Sequence, residues 1–190
     1  MIEAFKKYIN QFVRMDEDDL QAITNIMEPA RLKKKEHFIT TGEICNKILF
    51  FTEGYFRFYH TDQNGNEITS DFYFAPGFIT SYTSLITGNP SFVNVQAMEN
   101  MDVLELRKND LDKLYAQHHS FERLGRIMAE SIVISSEKHL FLLLNQTAET
   151  RYKNLLANHP QFIKHIPLQY IASYLGITQE TLSRMRKSLD

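Results

Sequence analysis

Near its C-terminus the chain carries a group of polar residues that would share one helical face. They follow the i, i+3, i+4, i+7 pattern of such a face, as Glu180, Ser183, Arg184 and Lys187. An arginine can donate two hydrogen bonds to guanine, a glutamate can accept one from cytosine, and lysines neutralise phosphates. This face therefore has the chemistry to read base pairs. The alternative is a helix pair that closes a core and leaves its polar face in water.

The residues around this face predict two short helices joined by a turn. Ile171 and Leu175 are four residues apart on the first helix, and Ala172 is small enough for a second helix to cross closely. Gly176 can end the first helix in the left-handed conformation, and Thr178 can cap the second. The inner face of the second helix is predicted to contain Leu182, Met185 and Leu189. The predicted DNA-binding residues are Thr178, Gln179, Glu180, Ser183, Arg184, Arg186 and Lys187.

Charge is distributed unevenly along the 190-residue chain. The chain has 21 lysines and arginines against 23 acidic residues, a net charge of −2. Residues 146–190 contain six lysines and arginines and three acidic residues, so their net charge is +3 and that of the rest is −2 − 3 = −5. A basic segment on an acidic body favours a small anion-binding domain joined to a larger one. Chance asymmetry between two solvated surfaces would give the same numbers.

The middle of the chain predicts an antiparallel β-sandwich or small barrel. Five of the seven glycines lie at positions 42, 54, 65, 77 and 88, and Asn64-Gly65 is a hairpin signal. The runs between them are rich in aromatic and β-branched residues and predict strands at Ile48–Thr52, Tyr55–His60, Ile68–Phe74, Phe78–Ile86 and Phe92–Met98. Residues 4–27 before them predict an amphipathic helix in two pieces, the second capped by Asp16.

A long helix is predicted from Ser120 to about Asn145. Its apolar residues occupy more than one face, with Leu124, Met128, Ile132, His139 and Leu142 on one side and Ile127, Ile134 and Phe141 on another. One face can pack on the β domain and another on the same helix of a second subunit, unless a single subunit buries both. After a hinge, Thr147 can cap a short helix that Pro160 ends, and two further short helices complete the chain.

This organisation resembles the cyclic-AMP-receptor and fumarate-nitrate-regulator (Crp/Fnr) family over nearly the whole chain. The segment Gly54-Tyr-Phe-Arg57-Phe-Tyr59 is similar to the family's sensor strand, and Thr181-Leu182-Ser183-Arg184 to its recognition helix. The resemblance implies an α+β fold: a cyclic-nucleotide-binding-like antiparallel β-roll sensor domain (1–117), a dimerisation helix (118–145) and a helix-turn-helix DNA-binding domain (146–190). It further implies a homodimer that binds double-stranded DNA and contacts RNA polymerase. Glu180, Ser183 and Arg184 resemble the fumarate-nitrate signature, which implies TTGA-like half-sites.

The sensor departs from the family's cyclic-AMP site. The family has a Gly-Glu pair that holds the ribose and an Arg-Ser pair that neutralises the phosphate, whereas this chain has Thr80-Ser81 and Ser91-Phe92. No lysine or arginine occurs between Arg57 and Arg107, and a buried phosphate without a cation is costly. We therefore expect no cyclic-AMP binding. A pocket for another, unidentified effector is predicted from Arg57, Tyr73, Thr80, Ser81, Tyr82, Thr83, Ser84 and Phe92, unless these side chains merely fill and face the barrel.

Other classes of function find little support in the sequence. The single cysteine, Cys45, excludes an internal disulfide and a four-thiolate cluster. His118, His119 and His139 lack metal-ligand spacing, so neither metal nor cofactor is expected. Enzyme motifs are absent, and so are a signal-peptide pattern and a membrane-length apolar run, which favours a cytoplasmic non-enzyme. The remaining alternative to a DNA-binding regulator is a small-ligand-binding β-roll protein whose terminal helices mediate protein contacts.

Overall fold

The computed structural model describes residues 1–189, with Leu189 described by its backbone alone. Within that range the helices are α1 (Ile2–Ile9), α2 (Glu17–Thr24), α3 (Tyr82–Thr87), α4 (Lys108–Gln117), α5 (His119–Asn145), α6 (Ala148–Asn158), α7 (Pro160–His165), α8 (Leu168–Tyr174) and α9 (Gln179–Leu189). The strands are β1 (Glu28–Leu32), β2 (His37–Ile39), β3 (Lys47–Phe51), β4 (Tyr55–Thr61), β5 (Glu67–Phe74), β6 (Gly77–Ile79), β7 (Asn94–Ala97) and β8 (Met101–Arg107).

The chain divides into two compact units. The first contains Met1–His60 and Phe72–Glu130, and the second contains Thr61–Asp71 and Ser131–Asp190. The strands form two four-stranded sheets, in the orders β1-β8-β3-β6 and β2-β7-β4-β5. The registered pairs are antiparallel, so the predicted α+β fold with an antiparallel β-roll is confirmed. In the described residues no helix is long and apolar enough to cross a membrane.

Two apolar clusters stabilise the first unit, one on each side of the first sheet. Between the sheets, Leu49 and Phe51 of β3 pack with Phe56 of β4 and with residues of β7 and β8. Phe50 points the opposite way, as strand alternation requires, and packs with Phe5 of α1 and with parts of α2, α4 and α5. Burial of this many large apolar side chains is the main source of stability in such a unit.

The predicted N-terminal cap is confirmed by the geometry of α2. The Asp16 carboxylate accepts a hydrogen bond from the Asp19 amide at 2.8 Å, and satisfies one donor that the helix itself leaves unpaired. The predicted long helix is also present, and begins one residue earlier than expected, at His119. Thr147 caps α6 as predicted, because its hydroxyl accepts from the Thr150 amide.

Two predictions about elements were wrong, and three strands were missed. The predicted strand Phe78–Ile86 ends at Ile79 and is followed by the helix α3, which buries Ser84 and Leu85. Gly88 ends that helix in the left-handed region, at φ +70°, and this is a helix-ending feature rather than a strand boundary. The strands β1, β2 and β8 were not predicted. β1 contains a proline, β2 has only three residues, and β8 contains several charged residues.

The second wrong prediction concerns the region after α6. Pro160 was expected to end one helix before two final helices, but it also begins the additional short helix α7. A proline suits the first position of a helix because the missing N–H has no intrahelical partner there.

Candidate nucleic-acid interface

Helices α8 and α9 are packed together around a small apolar core in the second unit. Ile171 and Leu182, one from each helix, are fully buried, and Leu175 and Ala172 are nearly so. Met185 is only half-buried, while the predicted inner position of Leu189 lies outside the described side chains. This core fixes which face of α9 turns outward.

The turn between the two helices has the predicted backbone conformation. Gly176 has φ +68°, and the Ile177 amide donates to the Ala172 carbonyl at 3.0 Å. The Thr178 hydroxyl accepts from the Thr181 amide at 3.2 Å, so the predicted cap of α9 is confirmed. These bonds satisfy backbone groups at the end of α8 and the start of α9, where neither helix can do so itself.

The outer face of α9 presents the residues predicted to bind DNA. Thr178, Gln179, Glu180, Ser183, Arg184 and Lys187 are all exposed, and Arg186 is half-buried. In the described part of the chain, Glu180, Arg184 and Lys187 form no ion pair within 4.0 Å. An acidic residue in the first turn and basic residues in the last turn also suit the helix dipole. The arrangement leaves a charged, hydrogen-bonding surface available to a ligand.

Helix α8 is held on its other side by residues that sequence reasoning did not identify. The Ser173 hydroxyl accepts from the Thr69 amide at 2.8 Å and donates to the Glu67 carbonyl at 3.2 Å. Burial, with a smaller contribution from the Asp71 carboxylate, raises the pKa of Tyr174 above its ordinary value. Only the small polar side chain of Ser173 could have signalled this contact, and that signal is too weak to use.

The predicted effector-pocket residues in the first unit do not all converge. Three hydroxyls are engaged by the protein: Ser81 pairs with Ser91 at 2.9 Å, Ser84 bonds Cys45 and Asn89, and Thr80 donates to the Lys47 carbonyl. The others lie on the surface or elsewhere, since Tyr82 and Phe92 are 38% and 63% exposed, Thr83 is exposed, and Tyr73 packs on Phe58. These three hydroxyls belong to α3 or to the two residues that precede it.

Arg57 is the one cation among the predicted pocket residues. It is 1% exposed, and its guanidinium lies over the Tyr59 ring at 4.4 Å. The Tyr59 hydroxyl in turn shares a hydrogen bond with His37 Nε2 at 2.8 Å. A buried guanidinium on an aromatic face is stabilised by the ring quadrupole.

The histidines have structural neighbours. His118 Nδ1 lies 2.8 Å from the Asp19 carboxylate, and the His139 ring lies 4.8 Å from that of Tyr174. Burial, and secondarily the positive charge of Arg151, lowers the pKa of His139. Across residues 1–189 no three His, Cys, Asp or Glu side chains are grouped as a metal site would require.

Comparisons with known proteins show similarity to one domain family and to several solved structures. Residues 29–118 match the family of the cyclic nucleotide-binding domain. FixK2 from Bradyrhizobium japonicum has a similar structure, with a TM-score of 0.74 and 20% identity, over 86% of this chain and 84% of that one. The c-di-GMP-responsive global regulator CLP from Xanthomonas campestris gives a TM-score of 0.72 and 13% identity, over 92% and 91%.

A further similar structure comes from Eubacterium rectale, and belongs to a protein assigned to the Crp/Fnr family of transcriptional regulators. It gives a TM-score of 0.73 and 16% identity, over 92% of this chain and 83% of that one. A comparison with curated protein sequences gives no significant match. Residues 29–118 are therefore similar to a cyclic nucleotide-binding domain, and the chain has the same fold as solved structures that include a protein assigned to the Crp/Fnr family, which its sequence resembles.

Proposed function

We propose that this protein is a sequence-specific DNA-binding transcription regulator of the Crp/Fnr type, acting in the cytoplasm. The observation that carries the proposal is the outer face of α9, where Glu180, Ser183 and Arg184 are exposed on the first half of a capped helix. Recognition helices of helix-turn-helix proteins present their N-terminal residues to base edges in this way. The buried core beneath α9 keeps that face rigid, which a precise hydrogen-bonding surface needs.

The roles of the predicted segments follow from this assignment. Residues 146–190 bind DNA, the helix at 118–145 joins two subunits, and residues 1–117 form the sensor. Arg184 reads guanine, Glu180 accepts from cytosine, and Lys187 and Arg186 contact phosphates. Thr178, Gln179 and Ser183 add hydroxyl and amide groups at the entry to the groove. RNA polymerase is the further partner implied by the family resemblance.

The second half of α5 supports a homodimer. Five of its apolar side chains are more than half exposed in the single chain, and they are Val133, Ile134, Leu140, Phe141 and Leu144. Exposed apolar surface of this extent on one helix favours burial against a partner. A second copy about a two-fold axis would place two recognition helices in successive major grooves, about 34 Å apart.

The sensor is proposed to respond to something other than cyclic AMP. The Ser81–Ser91 hydrogen bond joins the two positions where the resemblance assigns nucleotide-binding residues. Neither hydroxyl carries the charge that a cyclic phosphate needs, and the chain has no lysine or arginine from 58 to 106. Any effector of this domain would therefore have to bind without the glutamate and the arginine of the cyclic-AMP site.

An unbiased selection of DNA bound by the full-length protein tests the proposal. We expect enrichment of an inverted repeat with TTGA-like half-sites, and retention that falls as salt rises. A double variant, Glu180→Gln with Arg184→Ala, is the matched control, because both side chains are exposed and their removal leaves the core intact. Failure to enrich any sequence, with the fold intact, would instead support terminal helices that mediate protein contacts.

A further inference from the structure

Arg151 joins the hinge after α5 to the end of α8. One guanidinium nitrogen, Nη1, donates to the Gln146 carbonyl at 2.6 Å, and the other, Nη2, donates to the Leu175 carbonyl at 2.6 Å. Nη1 also lies 3.5 Å from the Leu143 carbonyl. Gln146 and Leu175 are far apart in sequence, so a single side chain links two segments of the second unit.

The electrostatics of this link are favourable. Both carbonyls follow the C-terminal end of a helix, α5 in one case and α8 in the other. Carbonyls there lack intrahelical donors and carry partial negative charge, so a cation between two such ends is stabilised by both dipoles. In the part of the chain described, no carboxylate lies within 4.0 Å of the Arg151 guanidinium, and the acceptors of its hydrogen bonds are main-chain oxygens.

The guanidinium is turned inward. Arg151 is half-buried, and within residues 1–189 its Nε is shielded from water without a hydrogen-bond partner. The Asn154 side chain holds Gln146 from a second direction, with Nδ2 donating to Oε1 at 2.8 Å. The planar fork of an arginine places two different nitrogens on two separate carbonyls in a fixed geometry, whereas a lysine would have to reach both carbonyls from a single nitrogen.

We propose that Arg151 is a positioning residue that fixes α8 and α9 to the end of α5, and thereby sets the half-site spacing that the dimer accepts. The inference rests on the proposed DNA-binding function. By sequence, Arg151 counts among the basic residues of the 146–190 segment and would be taken as a phosphate contact. The geometry instead pairs its charge with the main-chain carbonyls of Gln146 and Leu175.

The test compares three variants of the full-length protein. Arg151→Met removes the charge and both hydrogen bonds, while Arg151→Lys keeps the charge and removes the fork. Lys153→Met is the control, because Lys153 is exposed on the same helix and pairs with Glu149 at 2.6 Å. Each variant is titrated with the selected inverted repeat and with repeats one base pair shorter and one longer, over a series of salt concentrations.

In both Arg151 variants we expect the ratio of the affinity for the correct spacing to that for an altered spacing to fall about tenfold. A charge-assisted hydrogen bond contributes a factor of about this size to an equilibrium constant. Base preference within each half-site and the salt dependence should stay as in the unsubstituted protein. The control should keep its spacing preference. If Arg151→Met melts below the assay temperature, Arg151→Lys decides in the same way.

Three results would overturn the inference. The first is that the Arg151 variants keep the spacing preference, and the second is that they lose affinity equally for every spacing, which a merely structural role produces. A fall of about 1.8 in the salt slope per dimer, about 0.9 for each subunit, would identify a phosphate contact instead. If the unsubstituted protein binds no DNA, both the proposed function and this inference are wrong. If it binds and only the variants behave otherwise than expected, this inference alone fails.

Discussion

Replacing Arg184 by alanine should weaken binding to the preferred DNA site without changing the stability of the fold. The side chain is exposed on α9, and in the region described it forms no ion pair. Exposed substitutions of this kind usually change the free energy of unfolding by less than about 0.5 kcal/mol. Almost the whole effect should therefore come from the lost contact with DNA.

The expected loss can be worked out from the contact itself. A bidentate arginine–guanine pair is worth about 1–3 kcal/mol of discrimination, which is roughly 5- to 150-fold in affinity for one half-site. A dimer carries the substitution twice, so an inverted repeat should lose about 2–6 kcal/mol if the half-sites contribute additively. The loss should vanish when the guanine contacted by Arg184 is already replaced.

Variants of two neighbouring residues distinguish contacts with bases from contacts with phosphates. Lys187→Ala should weaken all sequences about equally and lower the salt dependence, because a phosphate contact carries no sequence information. Glu180→Gln should relax the requirement at one C·G pair and leave non-specific affinity unchanged or slightly higher. Titrations against matched and single-substituted sites measure all three. If every variant loses affinity equally for all sites, α9 contacts only the DNA backbone and the base-reading assignment is wrong.

Further predictions concern assembly, effector and pH. Light scattering at micromolar concentration should give twice the 22.3 kDa chain mass, because the exposed apolar side chains of α5 need a partner, and a clean monomer mass would contradict this. Calorimetry should detect no cyclic-AMP binding below millimolar concentration, and saturable heat at one site per subunit would overturn the effector proposal. Because burial lowers the pKa of His139, the unfolded chain binds the proton more readily. The free energy of unfolding should fall as pH drops below about 6.5, and His139→Gln should flatten that dependence relative to the unsubstituted protein.

Local sequence patterns predicted the elements that are stabilised locally. The helices α2, α6 and α9 have side-chain caps at Asp16, Thr147 and Thr178, and all three caps are present. The long helix was predictable because α5 repeats apolar residues over seven turns without a proline. The exposed face of α9 followed directly from helical spacing once its core positions were identified.

Contacts between distant parts of the chain could not be predicted in this way. The run from Tyr82 to Thr87 is rich in β-branched and aromatic residues, yet it forms α3, where the Ser84 hydroxyl bonds Cys45. Likewise, nothing local distinguishes Arg151, which binds main-chain carbonyls, from a phosphate-binding arginine. Which group a polar side chain meets depends on tertiary packing, and the composition of its own segment does not contain that information.

The same packing limits how many cations of the C-terminal segment can reach DNA phosphates. Residues 146–189 contain six lysines and arginines. Arg151 is bonded to carbonyls, and Lys153 is paired with Glu149 one helical turn away. Arg184 is assigned to a base. The net charge of the segment therefore overestimates the number of its cations that can contact DNA phosphates.

The cations left for phosphates in this segment are Lys164, Arg186 and Lys187, at most three for each subunit and six for a dimer. Each phosphate contact contributes about −0.9 to the slope of log affinity against log salt, so the slope should be no steeper than about −5.4. Titrations of the inverted repeat from low to moderate salt measure it directly. Lys187→Ala should make the slope less steep by about 1.8, because two contacts are lost per dimer. A slope near −8 or steeper would mean that cations outside the segment also contact DNA, and that the footprint extends beyond residues 146–189.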